Sequence, residues 1–280
     1  MNDAIPNTGS VHSRDGTQLH YEMLPNPDAP AALLFVHGFG EHCGRYEHVL
    51  RWFHHRGYDV SAFDYRGHGR SEGERSFVRN FREYLADLDA IIRAVTRSDR
   101  PHRRVYLVGH SFGGLIASSY ILEQPEGIDG AILSAPALGF KVRVNPVKAM
   151  AAKVLSKLWP TFALPTGIPP EHLASDESVG IAYMKDPLVN KVATARWYTE
   201  ALAQQQTVLR HADRVELPIL LLQGSDDQIV DSGVAQNFLA AIASADKEHK
   251  WYDGMYHEIF NDVRQEEVFE DIDTWLKKHL

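Results

Sequence analysis

The 280-residue sequence predicts an α/β fold, a mostly parallel sheet covered by helices and broken by one helical insertion. Three observations predict it. Short apolar, β-branched runs alternate with stretches whose apolar residues recur at helical spacing. One such run ends at Gly109, His110, Ser111, Phe112 and Gly113, where a strand hands over to a helix. The strand rhythm then stops between about residues 135 and 214, a stretch with Pro160, Pro165, Pro169 and Pro170 and no convincing strand.

The elements follow in order. Residues 11–24 read as a hairpin around the turn signal Asp15–Gly16. Residues 31–36 are a continuous apolar strand that ends in His37, Gly38, Phe39 and Gly40. A helical stretch spans about 46–55, and 59–64 read as the next strand, followed by a glycine-rich loop at 65–73. Leu85, Leu88, Ile91, Ile92 and Val95 give helical spacing over 81–95. The run at 104–110 and the helix after Ser111 come next, then a strand at 130–134. Beyond the insertion, 218–222 is a strand, 234–242 a helix, 249–252 a short strand and 267–280 an amphipathic helix. This divides the chain into a core of 1–134 with 215–280 and a helical cap of 135–214.

Composition narrows the function. With 37 acidic and 29 basic side chains the formal charge is -8, which argues against nucleic acid as a partner. A single cysteine, Cys43, allows no internal disulfide and no cysteine-only metal site. No apolar run reaches the length of a membrane span, and no signal peptide is evident, so a cytoplasmic protein is expected. There is no H-E-x-x-H, no C-x-x-C and no phosphate loop, so no cofactor or metal is expected.

A serine at the apex of G-x-S-x-G, between strand and helix, is placed for nucleophilic attack. It needs a base and an orienting acid later in the chain. The loop after 218–222 offers Asp226, Asp227 and Asp231, and His257 follows the last strand. The backbone N–H groups of Phe112 and Phe39 are the candidate oxyanion donors. A second feature lies in the insertion. From 130 to 170 the charged residues are Lys141, Arg143, Lys148, Lys153 and Lys157, with no acid. Val144, Val147, Met150, Ala151, Val154, Leu155 and Leu158 fall on one side of a helix; Lys153 and Lys157 lie opposite, and Lys148 would snorkel from the apolar arc. Two readings stay open: a helix packed on the main domain with a solvated lysine face, or an amphipathic lid that touches anionic lipid surfaces.

The motifs extend further. His37–Gly–Phe–Gly–Glu41–His42 followed by Arg45 and Tyr46, then Gly67–His–Gly–Arg–Ser–Glu–Gly73 with Arg75, resemble segments of the monoacylglycerol lipases. So do Gly109–His–Ser111, Leu221–Leu–Gln–Gly–Ser225 with Asp227, and in the insertion Ala151–Ala–Lys–Val–Leu155 and Tyr183 with Asp186, Pro187 and Leu188. The resemblance runs from about residue 12 to the end. That family, which also includes enzymes called lysophospholipases, has the α/β-hydrolase fold.

The resemblance implies Ser111, Asp227 and His257 as catalytic triad, since the family pattern is G-S-x-D. It implies a polar pocket for a glycerol head at Glu41, Arg45, His110 and Tyr183, and an apolar tunnel under the cap for the acyl chain. Glu41 with Arg45 also fits a plain ion pair, His110 a space-filling residue and Tyr183 cap packing. Phe39 is bulkier than the alanine often found there, and Cys43 has no assigned role. The expected activity is hydrolysis of monoacylglycerol through an acyl-enzyme on Ser111, with a small-molecule lipid ester as partner and peripheral membrane contact through the cap. Alternatives are a lysophospholipase, a short-chain carboxylesterase, an S33-type aminopeptidase, or a non-catalytic ligand-binding module.

Overall fold

The computed structural model describes residues 5–96, 103–141 and 146–280, and the side chains of all of these except 146–149. In chain order the elements are β1 (Asn7–His12), β2 (Gln18–Leu24), β3 (Ala31–Val36), α1 (Glu47–His55), β4 (Asp59–Phe63), α2 (Arg82–Ile91), β5 (Arg104–His110), α3 (Phe112–Glu123) and β6 (Gly130–Ser134). The insertion contributes α4 (Pro146–Leu158), β7 (Ala163–Pro165), α5 (Glu177–Lys185), β8 (Val192–Thr194) and α6 (Ala195–Arg210). The chain closes with β9 (Ile219–Gly224), α7 (Ser232–Ala241), β10 (Lys247–Tyr252) and α8 (Gln265–Lys278).

Eight strands form one sheet in the order β1-β2-β4-β3-β5-β6-β9-β10. β2 runs antiparallel to β1 and to β4, and every other neighbouring pair is parallel. β3 shows why its sequence is unbroken apolar. All six residues are buried. Leu34 and Val36 enter the core beneath α2 and α3, while Leu33 and Phe35 enter the core beneath α1 and α8. A strand with helices on both faces has no polar side to alternate with.

The covering helices are half-sided for the complementary reason. α8 buries Val268, Phe269, Ile272, Trp275 and Leu276, a single stripe at helical spacing. Burial of each such side chain stabilises by about 1.5–3 kcal/mol. Glu266 and Glu267 at its start and Lys277 and Lys278 at its end match the helix dipole. α3 lies at the centre, and ten of its residues are buried.

The insertion departs from the sequence reading at one place and decides an open point at another. β7 and β8 pair antiparallel where no strand was expected. Three residues each, one of them a proline, are too few to carry an alternation signal. The open point concerns α4. Its Ser156 is buried, with Oγ 2.7 Å from Thr199 Oγ1 of α6. The apolar arc is turned to solvent instead: Met150, Val154 and Leu158 are 62, 48 and 80 % exposed, and Trp159 continues the surface at 59 %. Lys153 and Lys157 are exposed as well. Arg143 and Val144 lie outside the described residues, as do the side chains of Val147 and Lys148. Helical spacing identifies a stripe but does not say which side of the helix meets the protein. Among the described residues no helix is long and apolar enough to cross a membrane.

Candidate active site

Three side chains from distant parts of the sequence meet beyond the carboxyl ends of β5, β9 and β10, where parallel sheets bind ligands. Ser111 sits between β5 and α3 with φ 52° and ψ -117°, an unfavourable region for any residue with a Cβ. Such a conformation costs on the order of 1–3 kcal/mol and persists only when its surroundings enforce it. Here Ser111 N–H donates to Ser134 O at 2.9 Å, and Ala137 N–H donates to Ser111 O at 2.9 Å. Gly113 permits the turn, because a Cβ there would stand 2.0 Å from the carbonyl oxygen of Val36.

His257 lies in the loop after β10, 4 % exposed. Its Nε2 is 2.9 Å from Ser111 Oγ, and its Nδ1 is 2.7 Å from Asp227 Oδ2. Asp227 is held in turn, its Oδ1 accepting from the N–H groups of Ile229 (2.7 Å) and Val230 (3.1 Å). Burial alone would pull His257 down. The charge and hydrogen bond of Asp227, with the charges of Glu258 and Glu41, together outweigh it and hold the imidazole above its ordinary value. Burial likewise pushes Asp227 up, but the charge and hydrogen bond of His257 and the two backbone donors leave it below its ordinary value. The other two acids of this loop are engaged elsewhere. Asp226 is exposed and accepts from Ser225 Oγ at 3.0 Å, while Asp231 caps α7 through the N–H groups of Gly233 and Val234.

Phe112 opens α3, so its N–H is among those a helix leaves without an intrahelical acceptor. The loop carrying Phe39 passes beside Ser111: a Cβ on Gly38 would come within 3.2 Å of Ser111 Cβ. The Phe39 ring stacks on Trp197 of α6 with centroids 3.7 Å apart. The inserted segment therefore touches the loop at 37–40 directly. Asn190 reinforces this contact, its N–H donating to Gly40 O at 2.8 Å and its Nδ2 to Gly67 O at 2.7 Å.

The cavity over Ser111 has two kinds of wall. Phe39, Phe112, Ala137, Phe140, Ile168, Leu173, Trp197 and Ile229 supply apolar surface, and Glu41, Tyr183, His257 and Glu258 supply the polar groups. Arg45 and His110 stand behind this wall. Arg45 lies over the Tyr183 ring at 5.2 Å from its centroid. His110 Nδ1 is 3.2 Å from Ser134 Oγ, its ring is 4.9 Å from that of His257, and burial pushes it down to about 3. At neutral pH it is uncharged, packed between Ser134 and His257.

Glu258 was not anticipated. It is 2 % exposed and takes both Arg45 Nη groups, at 2.9 and 2.8 Å, with Asn261 Nδ2 donating at 2.8 Å. Its position next to His257 was visible in the sequence, but no spacing rule ties it to Arg45.

His20, Cys43 and Asp64 bring ligand-type atoms within 4.8 Å of one another. Asp64 is already committed, accepting from the N–H groups of Cys43 (2.6 Å) and Arg70 (2.7 Å). Burial pushes the Cys43 thiol up, so it stays protonated and a poor ligand. The trio anchors two turns, and Cys43 serves it through its backbone.

A family model described as Serine aminopeptidase, S33 matches residues 27–264. The chain belongs to this family. It is 33 % identical to a monoacylglycerol lipase of Mycolicibacterium smegmatis over 99 % of this chain and 100 % of that protein. It is also 33 % identical to phospholipase YtpA of Bacillus subtilis, over 86 % and 93 % of the two chains. The solved structure of a Paleococcus ferrophilus monoacylglycerol lipase superposes with a TM-score of 0.86 at 30 % identity, covering 94 % and 99 %. The architecture is the α/β-hydrolase fold, with a largely helical segment between β6 and β9.

Proposed function

We propose that the protein is a monoacylglycerol lipase that releases a fatty acid and glycerol through an acyl-enzyme on Ser111. One observation carries the reading: Ser111 Oγ opens into a cavity that joins an apolar wall to a small polar group around Glu41, Tyr183 and Glu258. An ester of a long acyl chain and a small polyol has that division. The segment 135–214 acts as the cap and supplies part of both walls, with 1–134 and 215–280 as the core.

In this mechanism Ser111 Oγ attacks the ester carbonyl while His257 Nε2 takes its proton. The negative charge that develops on the carbonyl oxygen is met by the N–H groups of Phe39 and Phe112. Asp227 fixes the tautomer that leaves Nε2 free and stabilises the imidazolium. Collapse expels glycerol with the proton from His257. Water, deprotonated by the same nitrogen, then frees the fatty acid.

The exposed face of α4 gives a route for the substrate. Met150, Val154, Leu158 and Trp159 form an outward apolar surface flanked by Lys153 and Lys157. Such a surface docks on anionic lipid, so a poorly soluble ester enters without crossing water.

The test compares fatty acid release from monoacylglycerol and from lysophosphatidylcholine of equal acyl length, with fluorophosphonate labelling of Ser111 as the check on the nucleophile. Faster cleavage of monoacylglycerol is expected. Preference for the lysophospholipid, or cleavage of amino-acyl amides with no ester turnover, would replace this reading.

A further inference from the structure

The polar end of the cavity holds more negative charge than a glycerol site needs. Glu41 and Glu258 are 4 % and 2 % exposed, and both line the cavity within reach of a single guanidinium. Arg45 is committed to one of them. Both of its Nη groups donate to Glu258, and although Nη1 lies 3.1 Å from Glu41 Oε2, that oxygen accepts no hydrogen bond. His110 Nε2 is 3.7 Å from Glu41 Oε1 but is uncharged. Two buried carboxylates thus face one cation, whose two hydrogen bonds both go to Glu258.

We infer that Glu258 determines head-group specificity: by occupying Arg45 beside Glu41, it makes the cavity accept neutral polyol esters and reject anionic ones. The inference rests on the lipase reading and deepens it, since relatives of equal identity are named for a glyceride lipase and for a phospholipase. An anionic head would bring a third negative charge into a site shielded from water, where repulsion is strong. It would also meet a guanidinium whose charge Glu258 already balances. A neutral polyol can donate its hydroxyls to either carboxylate. Burial raises Glu41 despite Arg45, and Arg45 holds Glu258 low despite burial, so Glu258 keeps its charge at every working pH.

The experiment uses two esters of one size: 1-acylglycerol, and 3-acylglycerate, in which one hydroxymethyl is a carboxylate. The quantity read is the ratio of their kcat/KM values at mildly alkaline pH, where Glu41 is ionised. The wild-type enzyme is expected to favour acylglycerol by at least about 100-fold, and Glu258→Gln to lower that ratio about tenfold or more. Glu258→Asp, which keeps the charge, should retain most of the preference. A merely structural role lowers both rates together and leaves the ratio unmoved.

If Glu258→Gln fails to fold, Glu41→Gln removes the same charge while leaving the Arg45–Glu258 clamp in place, and must lower the ratio in the same direction. A folded Glu258→Gln, or in its place a folded Glu41→Gln, with the wild-type ratio overturns the inference. A wild-type enzyme that cleaves no long-chain acylglycerol defeats the lipase reading instead. The same ratio taken on butyryl esters then still decides Glu258.

Discussion

The loops around Ser111 and the exposed face of α4 are built on opposite terms. At Ser111 every polar atom that matters has a partner fixed by the sheet. Asp227 is held by two backbone donors, His257 by Asp227, and the strained serine by Ser134 and Ala137. On α4 large apolar side chains stand in solvent with lysines beside them. Locked geometry is what a reacting group requires, because small misplacements of catalytic atoms cost large factors in rate. An uncommitted apolar surface is what a fluid partner requires. Changes in the first region should therefore act on every ester, and changes in the second only on esters presented in lipid.

The largest effect belongs to the nucleophile. Ser111→Ala and His257→Ala should each lose on the order of 10⁶-fold in turnover on soluble and vesicle-borne substrate alike, and the double variant should be little worse than either. Steady-state hydrolysis of both substrates checks this. Near wild-type rates for Ser111→Ala would place the chemistry elsewhere.

Next comes the orienting acid. Asp227→Asn should cost on the order of 10⁴-fold by stabilising the wrong histidine tautomer. Asp226→Asn should be mild, since that carboxylate is exposed and bonds Ser225. Equal losses in the two variants would contradict the geometry of the loop.

The pH profile sharpens the same contrast. The base must be neutral, and His257 is held above the ordinary histidine value of about 6.5. Activity is then present above that raised value and lost as pH falls through it. The acid limb of kcat/KM on a soluble ester should lie above about 6.5 and move to lower pH in Asp227→Asn. An unmoved limb would mean that Asp227 does not raise the imidazole.

The smallest effect lies on α4. Lys153→Glu with Lys157→Glu should weaken binding to anionic vesicles roughly tenfold or more at low salt, at about 1 kcal/mol per lysine. The difference should fade as salt rises. Hydrolysis of a soluble ester should barely change. Equal co-sedimentation of wild type and double variant would make α4 an ordinary surface helix.

Much of this was legible in the sequence because it is encoded locally. The buried strands announce themselves as unbroken apolar runs, α8 as a stripe, and the turn at Ser111 by the glycine that close approach to Val36 demands. The order of serine, acid and histidine along the chain followed from the strands that carry them. What only the tertiary structure decided depends on contacts between distant residues. It paired β7 with β8 and, of the two readings open for α4, turned the apolar arc outward. It also joined Arg45 to Glu258 across 213 positions. Periodicity describes the face an element offers, whereas the partner of a buried charge is fixed only when the chain has brought the two together.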